Sequence, residues 1–177
     1  MQAVLHRYRL DGWGVGELWV NGSTVLAHDL GPAAASPDSL SPLGGSRAPR
    51  DTIADGESRV GDAFVADVVQ RVHKHLEGGS TTYADLPLDL SWCTPYQLQL
   101  SHALRAVPWG EVVTYGELAA LAGRPRAARA SGSFCASNRF WLFVPCHRVV
   151  ASDGIGPYGA AGVELKRRLL ALEDVAL

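Results

Sequence analysis

The chain changes character near residue 90, and that change limits its fold more than any other feature of the sequence. Before it, "VLHRYRLDGWGVGELWVNGSTVLAHDL" (4–30) alternates apolar and polar residues between Gly-rich breaks. The pieces "ELWV" and "TVLAHDL", separated by "NGS", predict a hairpin. Residues 31–60 are rich in Pro, Gly, Ser and Asp and predict a long mobile loop. "DAFVADVVQRVHKHLEGG" (62–79) places apolar residues three and four apart and ends on Gly78-Gly79, which predicts an amphipathic helix with a glycine stop. The first unit, residues 1–82, is therefore expected to be a small antiparallel sheet with one covering helix.

Residues 83–90 read as an extended linker, and from 91 to 177 the pattern is helical. "TPYQLQLSHALRAV" (94–107) begins with Thr-Pro, an N-cap followed by proline at the first helical position. "TYGELAALAG" (114–123) predicts a short helix capped by Thr114 and stopped by Gly123. "RPRAARASGSF" (124–134) predicts another, with Pro125 near its first turn. Two short helices joined by a tight glycine turn fit a helix-turn-helix, although a plain helical hairpin has the same pattern. Arg124, Arg126 and Arg129 lie among small residues, which suits close approach to a DNA groove as well as tight core packing with solvated arginines. The formal net charge of −2 divides unevenly, with a balance of −5 over residues 1–90 and +3 over 91–177. A polyanion would meet the second half.

At 177 residues, 47% apolar and 19% charged, the composition is that of a soluble globular protein. There is no apolar run long enough to span a bilayer, and the opening stretch has none of the marks of a secretory signal, so a cytoplasmic location is expected. Three cysteines, Cys93, Cys135 and Cys146, without metal-type spacing predict no disulfide framework. Cys146 stands beside His147 in "FVPCHRVVASDG" (143–154). A thiol attacks as its thiolate, which needs a base, and the base needs an orienting carboxylate. The helix "VELKRRLLALED" (163–174) ends in Glu173 and Asp174 and supplies candidates. Taken alone, a Cys-His pair is more often a buried filler than a nucleophile.

The surroundings of the pair decide otherwise. "VPCHRVV" (144–150) resembles the acceptor sequence of the O6-alkylguanine-DNA alkyltransferases. "PWGEVVTYGELAALAGRPRAARASG" (108–132) is similar to their helix-turn-helix. "GPYGAAGVELKRRLLALE" (156–173) resembles their pocket loop and final helix, and "YADLPLDLSWCTPYQ" (83–97) their interdomain stretch. The resemblance is close over roughly residues 83–174. It implies an α+β protein with an RNase H-like first unit and a winged helix-turn-helix second unit. The protein would flip O6-alkylguanine out of double-stranded DNA and transfer the alkyl group irreversibly to its own cysteine. It would be a monomer with no cofactor and no membrane partner.

Residue by residue, the resemblance makes Cys146 the alkyl acceptor and His147 its base through a water. Glu173 orients the histidine, and Asn138 is the hinge before the acceptor strand. Tyr115 turns the phosphate and helps to bind and protonate the base. The carbonyls of Cys146 and Val149 read the guanine amino group, Tyr158 walls the pocket, and the Gly159 N–H faces O6. Arg129 enters the duplex, and Tyr96, Gly116, Arg124 and Ser152 touch DNA. Ser101 stands where the family has tryptophan, Arg139 where proline commonly follows the asparagine, and Ala160 and Ala161 where it has glycines. With Pro157, the added methyls predict preference for methyl over benzyl transfer if they face the pocket, and no preference if the loop adjusts and they point into solvent. Some relatives hold zinc in the first unit. His6, His28, His73 and His75 are present here without any cysteine, so no zinc is expected. Three other readings are a non-reactive relative that binds alkylated DNA and recruits other repair factors, a cysteine hydrolase, and a winged-helix DNA-binding regulator whose cysteine is incidental. Proteins of the first kind lack the cysteine, so its presence here argues against that reading. The second needs an oxyanion hole, for which no motif is present.

Overall fold

In a computed structural model, residues 3–31 and 62–177 are described; the loop expected at 31–60 therefore lies outside the described residues beyond Gly31. The chain is α+β. Strands β1 (Val4–Leu10), β2 (Gly14–Asn21) and β3 (Thr24–Gly31) form an antiparallel meander in that order. The NGS hairpin is where the sequence puts it, with Asn21 paired to Thr24 and a register shift at Trp19/Val20. β2 is buried along nearly its whole length, as befits the central strand. Gly16 is needed for this: a Cβ there would stand 2.4 Å from the ring of Tyr8 on β1. Helix α1 (Asp62–Leu76) covers the sheet through Val68 and Val72, both with no exposed surface.

The outer edge of β3 is closed by later parts of the chain. Val25 N–H donates to the Pro87 carbonyl and Asp89 N–H to the Val25 carbonyl, both at 2.8 Å. Further along, His28 N–H donates to Arg139 O (2.8 Å) and Trp141 N–H to His28 O (3.0 Å). The stretch 83–90 is thus extended, as its sequence predicts, but bound. It pairs with β3 while one guanidinium nitrogen of Arg105 donates to the carbonyls of Tyr83, Ala84 and Leu86. An edge that would otherwise present free N–H and C=O groups is satisfied in this way. One core cluster joins both halves, running from Leu10, Leu18 and Val72 to Leu100, Leu118, Phe134 and Phe143.

Helix α2 (Pro95–Arg105) starts at a capping box between Thr94 and Gln97. The two-residue strand β4 (Val113–Thr114) leads into α3 (Tyr115–Leu121), whose cap is a second such box between Thr114 and Glu117. α3 ends at Gly123, φ +80°, with Gly123 N–H bonded to Ala120 O and Arg124 N–H to Ala119 O. This double bond pattern with a left-handed glycine is the Schellman closure. The next helix, α4 (Ala128–Ala136), starts later than the sequence predicts. Pro125 disfavours helical geometry at Arg124, so 124–127 form a turn and only Arg129 of the three arginines is helical. After a 3-10 turn, Cys146–Arg148, strand β5 (Val149–Val150) pairs in parallel with β4. A second 3-10 turn, Gly159–Ala161, leads into α5 (Gly162–Leu172). Among the described residues, no helix is long and apolar enough to cross a membrane.

Candidate active site

The segment before Cys146 is held from two sides. From the sheet, the ring of His28 stacks on Phe143 at 4.2 Å. Its Nδ1–H donates to the Trp141 carbonyl and its Nε2 accepts from the Tyr8 hydroxyl, each at 2.6 Å. A carbonyl only accepts, which fixes this tautomer. Burial pushes the His28 pKa down to about 4, against the Trp141 bond, so the ring is neutral. With both nitrogens engaged, His28 has none to offer a metal. From the other side, Asn138 Nδ2 donates to Val144 O (2.9 Å) and to Cys146 Sγ (3.2 Å), and Asn138 Oδ1 accepts from Phe140 N–H (3.0 Å). Between the two clamps Leu142 takes φ +67°, a strained angle for a leucine.

Cys146 opens the 3-10 turn after Pro145 and is 6% exposed. The Cys135 thiol of α4, competing for the same negative charge, and then burial push its thiol well above the ordinary value. The Asn138 amide and the Lys166 ammonium pull it back. The resting residue is therefore a thiol, and ionising it requires a base. Tyr115 and Tyr158 border the same spot: the hydroxyl of each is raised by burial and further by both cysteines. Lys166 of α5 is fully buried and donates to Val149 O (2.6 Å) and Pro157 O (3.2 Å), tying the pocket loop to the acceptor turn.

Behind the turn lies a buried ionic cluster. His147 Nε2 donates to Glu173 Oε1 at 2.8 Å. Arg148 donates to both oxygens of Glu173 at 2.9 Å and to Val107 O at 2.7 Å, and the Gly110 N–H reaches Oε2 at 3.2 Å. Burial would raise the Glu173 carboxyl, but the bonds from His147 and Arg148, with the His75 ring nearby at 3.5 Å, outweigh it and hold it well below the carboxylate range. Burial also pushes His147 down to about 4, with Glu173 acting against it. The imidazole is thus neutral, protonated on Nε2, with the Nδ1 lone pair buried and without a hydrogen-bond partner. That is the form a proton acceptor needs. One ligating atom each of His75, His147 and Glu173 lie within 4.8 Å of one another. Arg148 on both carboxylate oxygens would set a guanidinium against any cation there, so the cluster does not suit a metal ion.

Comparison with known proteins agrees with this geometry. Over 117 residues the chain is 38% identical to the methylated-DNA–protein-cysteine methyltransferase of Metallosphaera sedula, spanning 66% of this chain and 72% of that one. The chain belongs to the methylated-DNA–protein-cysteine methyltransferase family. The family profile for the "6-O-methylguanine DNA methyltransferase, DNA binding domain" matches residues 95–175. The Salmonella typhimurium methyltransferase is 46% identical over 84 residues, about half of each chain (48% and 49%). Among solved structures, Mycobacterium tuberculosis OGT in complex with DNA superposes with a TM-score of 0.76 at 28% identity, covering 97% of this chain and 93% of that one.

Against this methyltransferase background, the residues expected from sequence divide into two groups. Cys146, Asn138, Tyr115 and Tyr158 converge around the thiol, with His147 and Glu173 behind it. Arg129 and Ser152 are exposed, and Gly116 is half-buried. Arg124 is exposed too, its guanidinium 4.5 Å above the Tyr96 ring. Val149 O already accepts from Lys166 and Cys146 O from the Val149 N–H, each using one of two lone pairs. A Cβ added at Gly159 would meet nothing within 4 Å, and Ala161 is exposed, so its methyl is not pressed into a packed wall. Arg139 stacks on Trp92 at 4.7 Å, a contact that proline would not make. Sequence reasoning missed His75, Cys135, Arg148 and Lys166. Lys166 had a signal, since it falls on the buried stripe of α5 with Leu169 and Leu170.

Proposed function

We propose that the protein repairs double-stranded DNA by moving the alkyl group of O6-alkylguanine onto Cys146. The observation that carries this reading is the buried Cys146 thiol, next in the chain to a neutral His147 whose partner Glu173 stays ionised, in a chain of this family. The base must leave the stack, at a cost of a few kcal/mol, and Arg129 at the start of α4 fills the space it vacates. Tyr96, Gly116, Arg124 and Ser152 serve as contacts to the DNA backbone, with Tyr115 turning the phosphate. The flipped guanine lies against Tyr158, its amino group read by the carbonyls of Cys146 and Val149, with the Gly159 N–H directed at O6.

His147 Nδ1 takes the thiol proton through a water. The sulfur lone pair attacks the alkyl carbon as the C–O6 bond breaks, and the electron pair returns to the guanine, which is protonated with the help of Tyr115. The products are a thioether and an unmodified guanine, so each molecule reacts once. Asn138 keeps Sγ aimed and the acceptor loop closed. In this reading the first unit is RNase H-like over 1–82, 83–90 connects, and 91–177 is a winged helix-turn-helix acting as a cytoplasmic monomer. Mass spectrometry after incubation with a duplex carrying O6-methylguanine should find one methyl per molecule on Cys146, and none in Cys146→Ser. Repeated turnover, or a methyl on Cys93 or Cys135, contradicts the proposal.

A further inference from the structure

His75 is the residue that the transfer chemistry leaves unexplained. It sits in the last turn of α1 with no exposed surface, yet neither ring nitrogen has a hydrogen-bond partner. A buried polar atom without a partner is costly, and a ring held in that state calls for a reason. Its Nε2 faces Glu173 Oε1 at 3.5 Å. The ring is fixed edge-on to Trp109 (4.7 Å) and to the His147 ring (5.9 Å), and stacks on Tyr83 at 5.8 Å. Trp109 adjoins Gly110, whose N–H bonds the other oxygen of the same carboxylate.

We propose that His75 is a further positioning residue of the transfer reaction, one that shares Glu173 with His147 and so keeps the relay imidazole in its neutral, proton-accepting form. The inference rests on the alkyl-transfer reading. The groups facing His75 are Glu173 at the end of α5, His147 and Arg148 of the acceptor turn, and Tyr83 of the segment paired with β3. Tyr83 is held neutral by burial, so Glu173 and Arg148 are the standing charges. A second N–H directed at Oε1 draws off part of the carboxylate's pull on His147. A positive His75 would oppose a second charge on His147 directly. Both effects disfavour the imidazolium, and both come from the first half of the chain, which would thereby set the pH range in which the second half works.

Replacing His75 with Phe or Leu removes the N–H but keeps an apolar filler, and His75→Gln restores an N–H that cannot ionise. The rate of methyl uptake from an O6-methylguanine duplex is followed between about pH 4 and about pH 8, with melting curves as a control on folding. The acid midpoint of the rate is expected to rise by about 1 pH unit in His75→Phe and His75→Leu, and to return toward the original in His75→Gln. A merely structural role moves the melting curve and leaves the midpoint in place. Apolar variants with the unaltered midpoint, or a Gln variant shifted as far as they are, would overturn the inference. Failure of the unmodified protein to take up methyl would instead defeat the alkyl-transfer reading.

Discussion

Glu173 carries two duties that a substitution would separate. It orients His147, and it compensates the buried Arg148 guanidinium at two 2.9 Å contacts. Glu173→Gln keeps the shape and removes the charge. In the proposed mechanism the imidazolium formed when His147 takes the thiol proton then has no counter-charge, so the Cys146 thiol becomes harder to ionise and transfer slows. The same change leaves Arg148 buried beside a neutral amide, a loss of about 3 kcal/mol or more in folding stability. Transfer rate and denaturant midpoint should therefore fall together. A slow but fully stable variant would mean that Arg148 finds compensation elsewhere; a stable one of unaltered rate would remove Glu173 from the relay.

At the scale of elements, the helix pair α3–α4 is set by its turn. The glycine closure at 123 and Pro125 delay α4 until Ala128, which brings Arg129 into its first, exposed turn. In the proposed function this exposed arginine enters the duplex, and it contributes nothing visible to the core. Arg129→Ala should cut repair of duplex DNA by about 100-fold or more, the scale of losing a stabilising contact of roughly 3 kcal/mol, and barely touch reaction with a free alkylguanine base. Parallel rate measurements on the two substrates decide it, since equal losses would assign Arg129 to the fold. α5 shows the same economy from the inside. Its buried stripe carries Lys166 among leucines, and that ammonium holds the pocket loop and the acceptor turn together through Pro157 O and Val149 O.

The whole molecule depends on groups buried in one charge state, and acid should expose this. His28 and His147 are each lowered to about 4 by burial, below the ordinary 6.5. Between those values the unfolded chain binds protons that the folded one does not, so stability rises with pH there and is lost as pH falls from about 6.5 to about 4. The loss is on the order of 3 kcal/mol for each histidine. Glu173 adds a further loss below the ordinary carboxylate range, its folded value being depressed. Asp29 acts oppositely: burial raises it to about 6, so its contribution is present at low pH and fades as pH rises through that value. Melting temperatures measured from about pH 7 down to about pH 4 should fall throughout. A flat profile would show that the buried histidines do not remain neutral in the folded protein.

Local rules were enough to read the hairpin at NGS, the covering helix, both threonine-capped helices and the glycine stop at 123, because each depends on neighbours within a few residues. The resemblance over 83–174 pointed to Cys146, His147, Asn138 and Glu173, and the fold bonds Asn138 to Cys146 and His147 to Glu173, while their parts in transfer belong to the proposed function. The late start of α4 was also local, written in Pro125. What no local pattern could supply is the contacts between distant segments. His28 meets Trp141 across 113 positions, and His75 comes to Glu173 from the other half of the chain. The Cys135 thiol acts on Cys146 from a different element, helix α4. The chain by itself pointed to Cys146 as the side chain proposed to react. Tertiary packing decided its resting state, because burial and long-range partners, not sequence neighbours, settle where each proton sits.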